Sequence, residues 1–451
     1  MVLPSAFRTH SLQDERVARL LSAALDAVEP GAAVRRYLES HPLPSACRVF
    51  ALGLGKAALP MTEALSRFVS LSGALVVTKH ASHSNLRPAA ILESGHPVPD
   101  ARSLAAGEAA LEFVSALRGD DLLICLISGG GSALLSAPLI PLEDLQALTS
   151  ALLACGARID EINTLRRHLD RIKGGGIAKA TPARVLSLIL SDVVGSPLEA
   201  IASGPTAADP TTKEDALAVL EKYGLVSLRV KRSNPLLGSV KRLIRPFAPG
   251  NDNQIPASIV YSLLSSPETA KPNDAIFSRV QNVIVGDNIL AVRAALRQAE
   301  REGFHAIDLG SHWQGEAREA GAALARRLRA AAAQSPSPLC MVAGGETTVT
   351  LTGNGKGGRN QEAALAAVPE LAGLPDVMLV TLATDGEDGP TDAAGAVVSG
   401  ETRQRAERLG LTVADHLSRN DAYPFFEALG DLLKIGPTGT NVNDLTFLLK
   451  L

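Results

Sequence analysis

Side chains able to do chemistry are concentrated in Gly344–Glu362, which reads GGETTVTLTGNGKGGRNQE. Glu346 stands at the end of an apolar run, 339–343, with the look of a buried strand. Thr348, Val349, Thr350 and Leu351 then alternate polar and apolar, the period of a second strand. Gly353, Gly355, Gly357 and Gly358 surround Lys356 in a loop that ends in Arg359, and Asn360 is placed to cap a helix over 361–368. Bare amides, a helix N-terminus and a guanidinium together suit phosphate or carboxylate oxygens. The plainer alternative is a flexible strand-to-helix connection with a solvated Arg359.

Three more loops have the same character. A strand over 47–52 runs into Gly53-Leu54-Gly55-Lys56-Ala57-Ala58 and a helix, the context of a dinucleotide-binding turn. The next strand, 74–78, ends in Lys79-His80, where an acidic residue would be expected for a ribose hydroxyl. The turn is therefore expected to cradle the phosphates of a nucleotide or a phosphorylated substrate, with Lys56 neutralising charge. Close helix–strand packing alone is the other reading. The buried strand 121–127 opens into Ser128-Gly129-Gly130-Gly131-Ser132, an anion nest by composition. The central glycine, Gly130, separates it from the nucleophile elbow of serine hydrolases. His96, between Gly95 and Pro97, could touch a ligand or simply hold a turn.

Lys173, next to Gly174-Gly175-Gly176, is the cation to single out from the charged face of a helix over 156–172. Asp192 follows another buried strand, 185–190, and Asp385, Glu387, Asp388 and Asp392 follow the strand 377–382. Acidic groups crowded in this way suit a cation or proton acceptance, or merely form a surface turn. The spacing is wrong for an EF-hand. Thr440 and Asn441 lie in GPTGTNVND, a further loop that could face a ligand, before a last strand over 445–449.

Strand after strand thus ends in Gly, Ser or Asp, where open α/β sheets bind ligands. With 451 residues, two domains are the default. Six basic residues without an acidic one from Arg229 to Arg245, then five prolines between 246 and 272, mark the boundary. The expected organisation is a domain over 1–245, a poorly structured Pro-rich excursion over 246–275 and a second domain over 276–451. A net charge of -3 offers no bulk attraction to nucleic acid or anionic membranes. Four scattered cysteines suit reduced thiols rather than disulfides or zinc. No signal-like apolar core opens the chain and no apolar run reaches membrane-spanning length, so a cytoplasmic protein is expected.

Together GLGKAA, GHPVPD, SGGGSALL, EINTLRRHLDRIKGGG, LSDVVG, ASGPT, GGETTV, GKGGRNQE, TDGEDGPTDAAGA and GPTGTNVNDL, in this order, resemble the glycerate 2-kinase family from about residue 12 onward. Asp170 and Ser196 depart from the residues common in that family, Ser and an acidic residue respectively. The resemblance implies a Rossmann-like, doubly wound amino-terminal domain and a smaller α/β carboxyl-terminal domain, with the active site in the cleft between them. It implies transfer of a phosphoryl group from ATP, with Mg2+, to the 2-hydroxyl of glycerate, D-glycerate being the expected enantiomer, by a monomer or homodimer. It also carries phosphate and transition-state stabilisation to Lys56 and Arg359, and the role of base to Asp385. The residues alone stop at a phosphate-handling α/β enzyme: Lys56, Lys173, Arg359 and the nests supply positive charge and oriented amides, with Asp385 as acidic partner. A nicotinamide-dependent hydroxypyruvate reductase and a non-catalytic sugar-acid sensor are the alternatives.

Overall fold

The computed structural model describes residues 2–80, 84–226, 255–334 and 338–451. The basic run, and the excursion up to residue 254, lie outside the described residues. Two compact units form, and neither is one stretch of chain. One takes its described residues from 38–189 and 197–283; the other takes them from 1–37, 190–196 and 284–451. The chain's opening helix, Glu15–Ala27, belongs to the second unit because its apolar face packs on the helix Asn288–Arg301. Arg19 fixes that packing with a two-pronged ion pair to Glu302, at 2.7 Å on each prong. This partition differs from the expected division at 245 and 276.

The first unit carries a six-stranded sheet in the order β3-β2-β1-β4-β5-β6. Its strands are β1 Val49–Leu54, β2 Gly73–Thr78, β3 Ala89–Glu93, β4 Leu122–Ile127, β5 Arg184–Leu190 and β6 Val280–Gly286. Neighbours from β1 to β5 pair in parallel. β4 is buried at every position, as its unbroken apolar run demands when helices cover both faces. The strand order reverses between β1 and β4, the switch point of a doubly wound sheet, where ligands bind beyond the carboxyl ends of the strands. The loops after β1 and β4 are the Lys56 turn and the Ser128–Ser132 nest.

A second core lies among helices of the same unit. Leu145 and Leu148, Ile162 and Leu165, Val219 and Leu220 pack together with Ile259, Val260 and Leu263. The last three lie on a helix, Ala257–Ser265, inside the supposed excursion. The proline count was misleading there: Pro256 only precedes the helix, and its apolar face finds a partner elsewhere in the fold.

In the second unit the sheet order is β11-β10-β9-β12-β8-β7. The strands are β7 His305–Asp308, β8 Leu339–Gly345, β9 Val377–Ala383, β10 Gly395–Ser399, β11 Leu432–Leu433 and β12 Asp444–Lys450. The last strand inserts antiparallel between β8 and β9, so Asp444 stands opposite both Gly345 and Ala383. This brings the ends of GGET, TDGED and TNVND to one edge of the sheet. The helices Ala317–Gln334 and Arg359–Leu371 pack against each other and share an apolar core with the sheet. Their axes come close because Gly321 sits on the backbone of Ala363.

The strand expected over 348–351 does not form. Thr348 and Thr350 instead spend their amides on Gly315 and Glu316, leaving one isolated bridge. Among the described residues, no helix is long and apolar enough to cross a membrane.

Candidate active site

At the switch point of the first unit, the two glycine loops differ in how their amides are used. After β1, every amide from Gly55 to Ala58 is already bonded, to Val77 O, Gly129 O, Ser128 Oγ and Gly55 O respectively. Gly53 and Gly55 are glycines for packing: a Cβ would meet Thr62 Oγ1 at 2.7 Å and Ser128 Oγ at 2.3 Å. Gly55 also has a φ of +115°, which favours glycine. This turn therefore does not cradle phosphate, and Ser128, buried and capping Ala57, is not a ligand-facing hydroxyl. What the turn does is project Lys56, whose side chain is exposed and has no acidic partner among the described residues.

The loop after β4 is the reverse case. The amides of Gly129, Gly130, Gly131 and Ser132 have no acceptor among the described residues. Ser132 shares a hydrogen bond with Ser203, Oγ to Oγ at 2.8 Å. The short helix Gly131–Leu134 begins here, and Gly130 reaches it through the left-handed region at φ +83°. Lys56 and this nest thus meet, since Lys56 N donates to Gly129 O at 2.9 Å.

Lys173 is elsewhere and committed. It is 4% exposed, and its ammonium donates to Asp170 Oδ2 at 2.5 Å, Ser136 Oγ at 3.2 Å and Leu135 O at 3.4 Å. Three partners use all three ammonium donors. Burial pulls Lys173 below the ordinary lysine value, and Asp170 opposes this. Lys173 is a buried structural ion pair rather than a ligand contact. The spacing of three residues to Asp170 was the sequence signal for it.

The second unit holds a cleft of about 950 Å³ lined by Glu346, the 353–358 glycines, Arg359, Asp385, Glu387, Asp388 and Asn441. Arg359 is one-third exposed at its wall. Its Nε donates to Asp444 Oδ2 at 2.6 Å, its Nη2 to Asp444 Oδ1 at 3.3 Å and its Nη1 to Glu346 Oε1 at 2.8 Å. Three of five N–H donors fix the plane of the guanidinium, and two remain. Burial works against its charge, but Asp444 and Glu346 prevail and hold it above the ordinary guanidinium value. Burial pushes the Asp444 carboxyl up to about 7 despite Arg359, with Asp388 adding repulsion.

Two expectations about this loop need correction. The helix starts at Arg359, not after Asn360, and its N-terminal amides are taken by Asp388. Asp388 accepts from Asn360 N at 3.1 Å, from Gln361 N at 2.8 Å and from the Asn360 amide at 3.3 Å. It is 2% exposed, and burial pushes it up to about 6 against those amides. Asp388 and Asn360 therefore build the helix start and are not free for a ligand. The glycines, likewise, are there for close packing. A Cβ at Gly353 or Gly355 would meet the Arg419 carbonyl at 2.5 Å, and one at Gly358 the Asp388 carboxylate at 2.4 Å. Loop amides bond to Arg419 O, Asn420 Oδ1 and Asp421 Oδ1.

Asp385 is half-buried on the cleft wall, and its Oδ1 accepts from Glu387 N at 3.2 Å. Asn441 lines the same cleft, with Oδ1 held by Asn443 N at 3.0 Å. Thr440 is 5% exposed and its hydroxyl donates to Val28 O at 2.7 Å, so it ties the opening helical segment down and is no ligand contact. Asp192, half-buried beyond β5, does not line this cleft. The sequence reading missed Asp444, although it closes the TNVND motif, and the buried Glu362 and Asn420 with the partly exposed Arg318 behind the loop. No group of three His, Cys, Asp or Glu arranged for a metal ion occurs among the described residues.

Comparison with known proteins gives the lineage. Residues 16–234 match a family model described as a domain of unknown function, DUF4147, and residues 339–444 match the MOFRL family. A D-glycerate 2-kinase from Thermotoga maritima is 38% identical over 435 residues, 94% of this chain and 95% of that protein. A glycerate 2-kinase from Pyrococcus horikoshii is 36% identical over 447 residues, 95% of each. The crystal structure of a Thermotoga maritima glycerate kinase matches with a TM-score of 0.84 at 38% identity, covering 96% of this chain and 98% of that one. With relatives of this identity aligned along nearly its whole length, the chain belongs to the glycerate 2-kinase family.

Proposed function

We propose that this protein transfers the γ-phosphoryl group of ATP to the 2-hydroxyl of glycerate, giving 2-phosphoglycerate and ADP. The observation that carries the reading is Arg359: Asp444 and Glu346 hold its guanidinium in one plane, with two N–H groups left at a cleft that Asp385 shares. Phosphoryl transfer needs fixed positive charge and a proton acceptor more than a covalent nucleophile. Arg359 takes up charge developing on the transferred group, and Asp385 accepts the hydroxyl proton. The hydroxyl oxygen bonds to the γ-phosphorus as the bond to the bridging oxygen breaks, and ADP leaves. Lys56 and the Gly129–Ser132 amides hold anionic oxygens of a ligand.

Magnesium fits as the nucleotide's own ion, since Mg2+ takes one or two carboxylates together with phosphates and water. Glu387 on the cleft wall would hold it, and it would neutralise phosphate charge. A nicotinamide-dependent reductase fits less well. The amides of the Gly55–Ala58 turn are bonded internally, and Lys79 and His80 follow β2. Reduced cysteines agree with a cytoplasmic setting. The deciding experiment couples ADP release to glycerate and related hydroxy acids, with product regiochemistry read by NMR. Glycerate-dependent ADP release with phosphate on C2 is expected. Oxidation of NADH with hydroxypyruvate, without ADP release, would overturn the reading.

A further inference from the structure

Beside the unsatisfied amides of Gly129, Gly130, Gly131 and Ser132 lies a second group that no role so far absorbs. A Cβ at Gly130 would stand 3.1 Å from Cδ2 and 3.2 Å from Nε2 of His96, and 3.3 Å from Cγ of Lys56. The edge of the imidazole and the stem of the lysine therefore lie over the same glycine. The space above Gly130 is filled by these side chains. His96 is half-buried, and neither ring nitrogen has a hydrogen-bond partner among the described residues. An imidazole N–H beside four unpaired amides and a lysine makes a cluster of donors without an acceptor, which an oxyanion would supply.

We propose that His96 is a ligand-contacting residue of this nest: its Nε2–H donates to the same oxyanion, a carboxylate or a phosphate, that Lys56 and the Gly129–Ser132 amides hold. Lys56 supplies charge on a flexible stem, whereas the ring supplies a fixed direction. The neutral form suits this duty. Burial, Lys56 and Lys79 all push His96 below the ordinary imidazole value, so it donates without adding another cation. The proposal rests on the kinase reading only for the names of the two ligands, glycerate and nucleotide.

Calorimetric binding of glycerate, ADP and inorganic phosphate to the wild type, His96→Ala and His96→Gln tests it. His96→Ala should weaken at least one anion about 10-fold, the scale of one hydrogen bond to a charged group. His96→Gln, which keeps an N–H donor, should recover most of that. Loss confined to glycerate makes the bound group its carboxylate; loss for ADP and phosphate makes it a phosphoryl group. An NMR titration of the wild-type ring should show its midpoint rising when the anion is added, which a packing residue would not do. That measurement also decides if His96→Ala fails to fold. Binding of every anion to His96→Ala within twofold of wild type, at an unchanged melting temperature, overturns the proposal, as does failure of all three anions to bind the wild type. Anion binding that depends on His96, without turnover of glycerate, would overturn the kinase reading and leave His96 in place.

Discussion

Arg359 illustrates how few contacts decide a residue's function. Its two carboxylate partners use three donors and freeze a side chain that would otherwise lose its rotamer freedom on binding a ligand. Arg359→Lys keeps the charge but cannot bridge Asp444 and Glu346 in one plane. We expect kcat to fall by about 10²-fold, the scale of one preorganised charge contact, with the melting temperature changed little. A kcat within a few-fold of wild type would remove Arg359 from the transition state. Asp385→Asn tests the proton acceptor. General-base assistance contributes about 10²- to 10⁴-fold, so kcat should drop in that range while ADP affinity holds. If excess magnesium restores the rate, Asp385 is a metal ligand instead.

At the level of elements, the helix Arg359–Leu371 is started from outside its own sequence. Asp388, twenty-seven positions beyond Gln361, supplies the carboxylate that caps it. A charged cap at a helix N-terminus is favoured by both the free amides and the dipole. Asp388→Ala should destabilise the protein by about 1–2 kcal/mol and speed hydrogen exchange at the Asn360 and Gln361 amides. Unchanged exchange there would contradict the capping role. The same helix leans on Ala317–Gln334 through Gly321, where a Cβ would come within 2.0 Å of the Ala363 carbonyl. Gly321→Ala should therefore cost about 1–3 kcal/mol by forcing the two helices apart, measured by urea unfolding.

Across the whole molecule, the buried acids of the second unit give stability a pH dependence opposite to ordinary acid denaturation. Asp444 and Asp388 are raised to about 7 and about 6, so the folded state holds protons that the unfolded chain has released above about pH 4. Their contribution is fully present below the unfolded value and is lost as pH rises through 6 and then 7. Relative to Asp444→Asn, the wild type should therefore lose stability between pH 5 and pH 8, by at most about 1.4 kcal/mol per pH unit. Denaturant unfolding of both proteins across that range gives the difference. A flat difference would mean that Asp444 is ionised throughout.

The sequence alone determined the elements and the lineage. The strands β1, β2, β4, β5, β8, β9 and β12, helices that follow them and the loops at strand ends were legible, because buried apolar runs and helical periodicity are local properties. The edge strand β3 and the short β10 and β11 were not, since they are brief and carry no distinctive alternation. The motifs for Lys56, Arg359 and Asp385 were likewise visible as residues at strand ends. What tertiary structure decided was the allocation of hydrogen-bond partners. Glycine loops 53–58 and 353–358 look like cradles in one dimension, yet the amides of Gly55–Ala58 and of Gly353, Gly355 and Lys356 are spent inside the fold, while those of Gly129–Ser132 are not. Lys173 and Thr440 look available and are committed to Asp170 and Val28. A donor's partner can come from anywhere in the chain, so its availability is fixed only once distant segments meet.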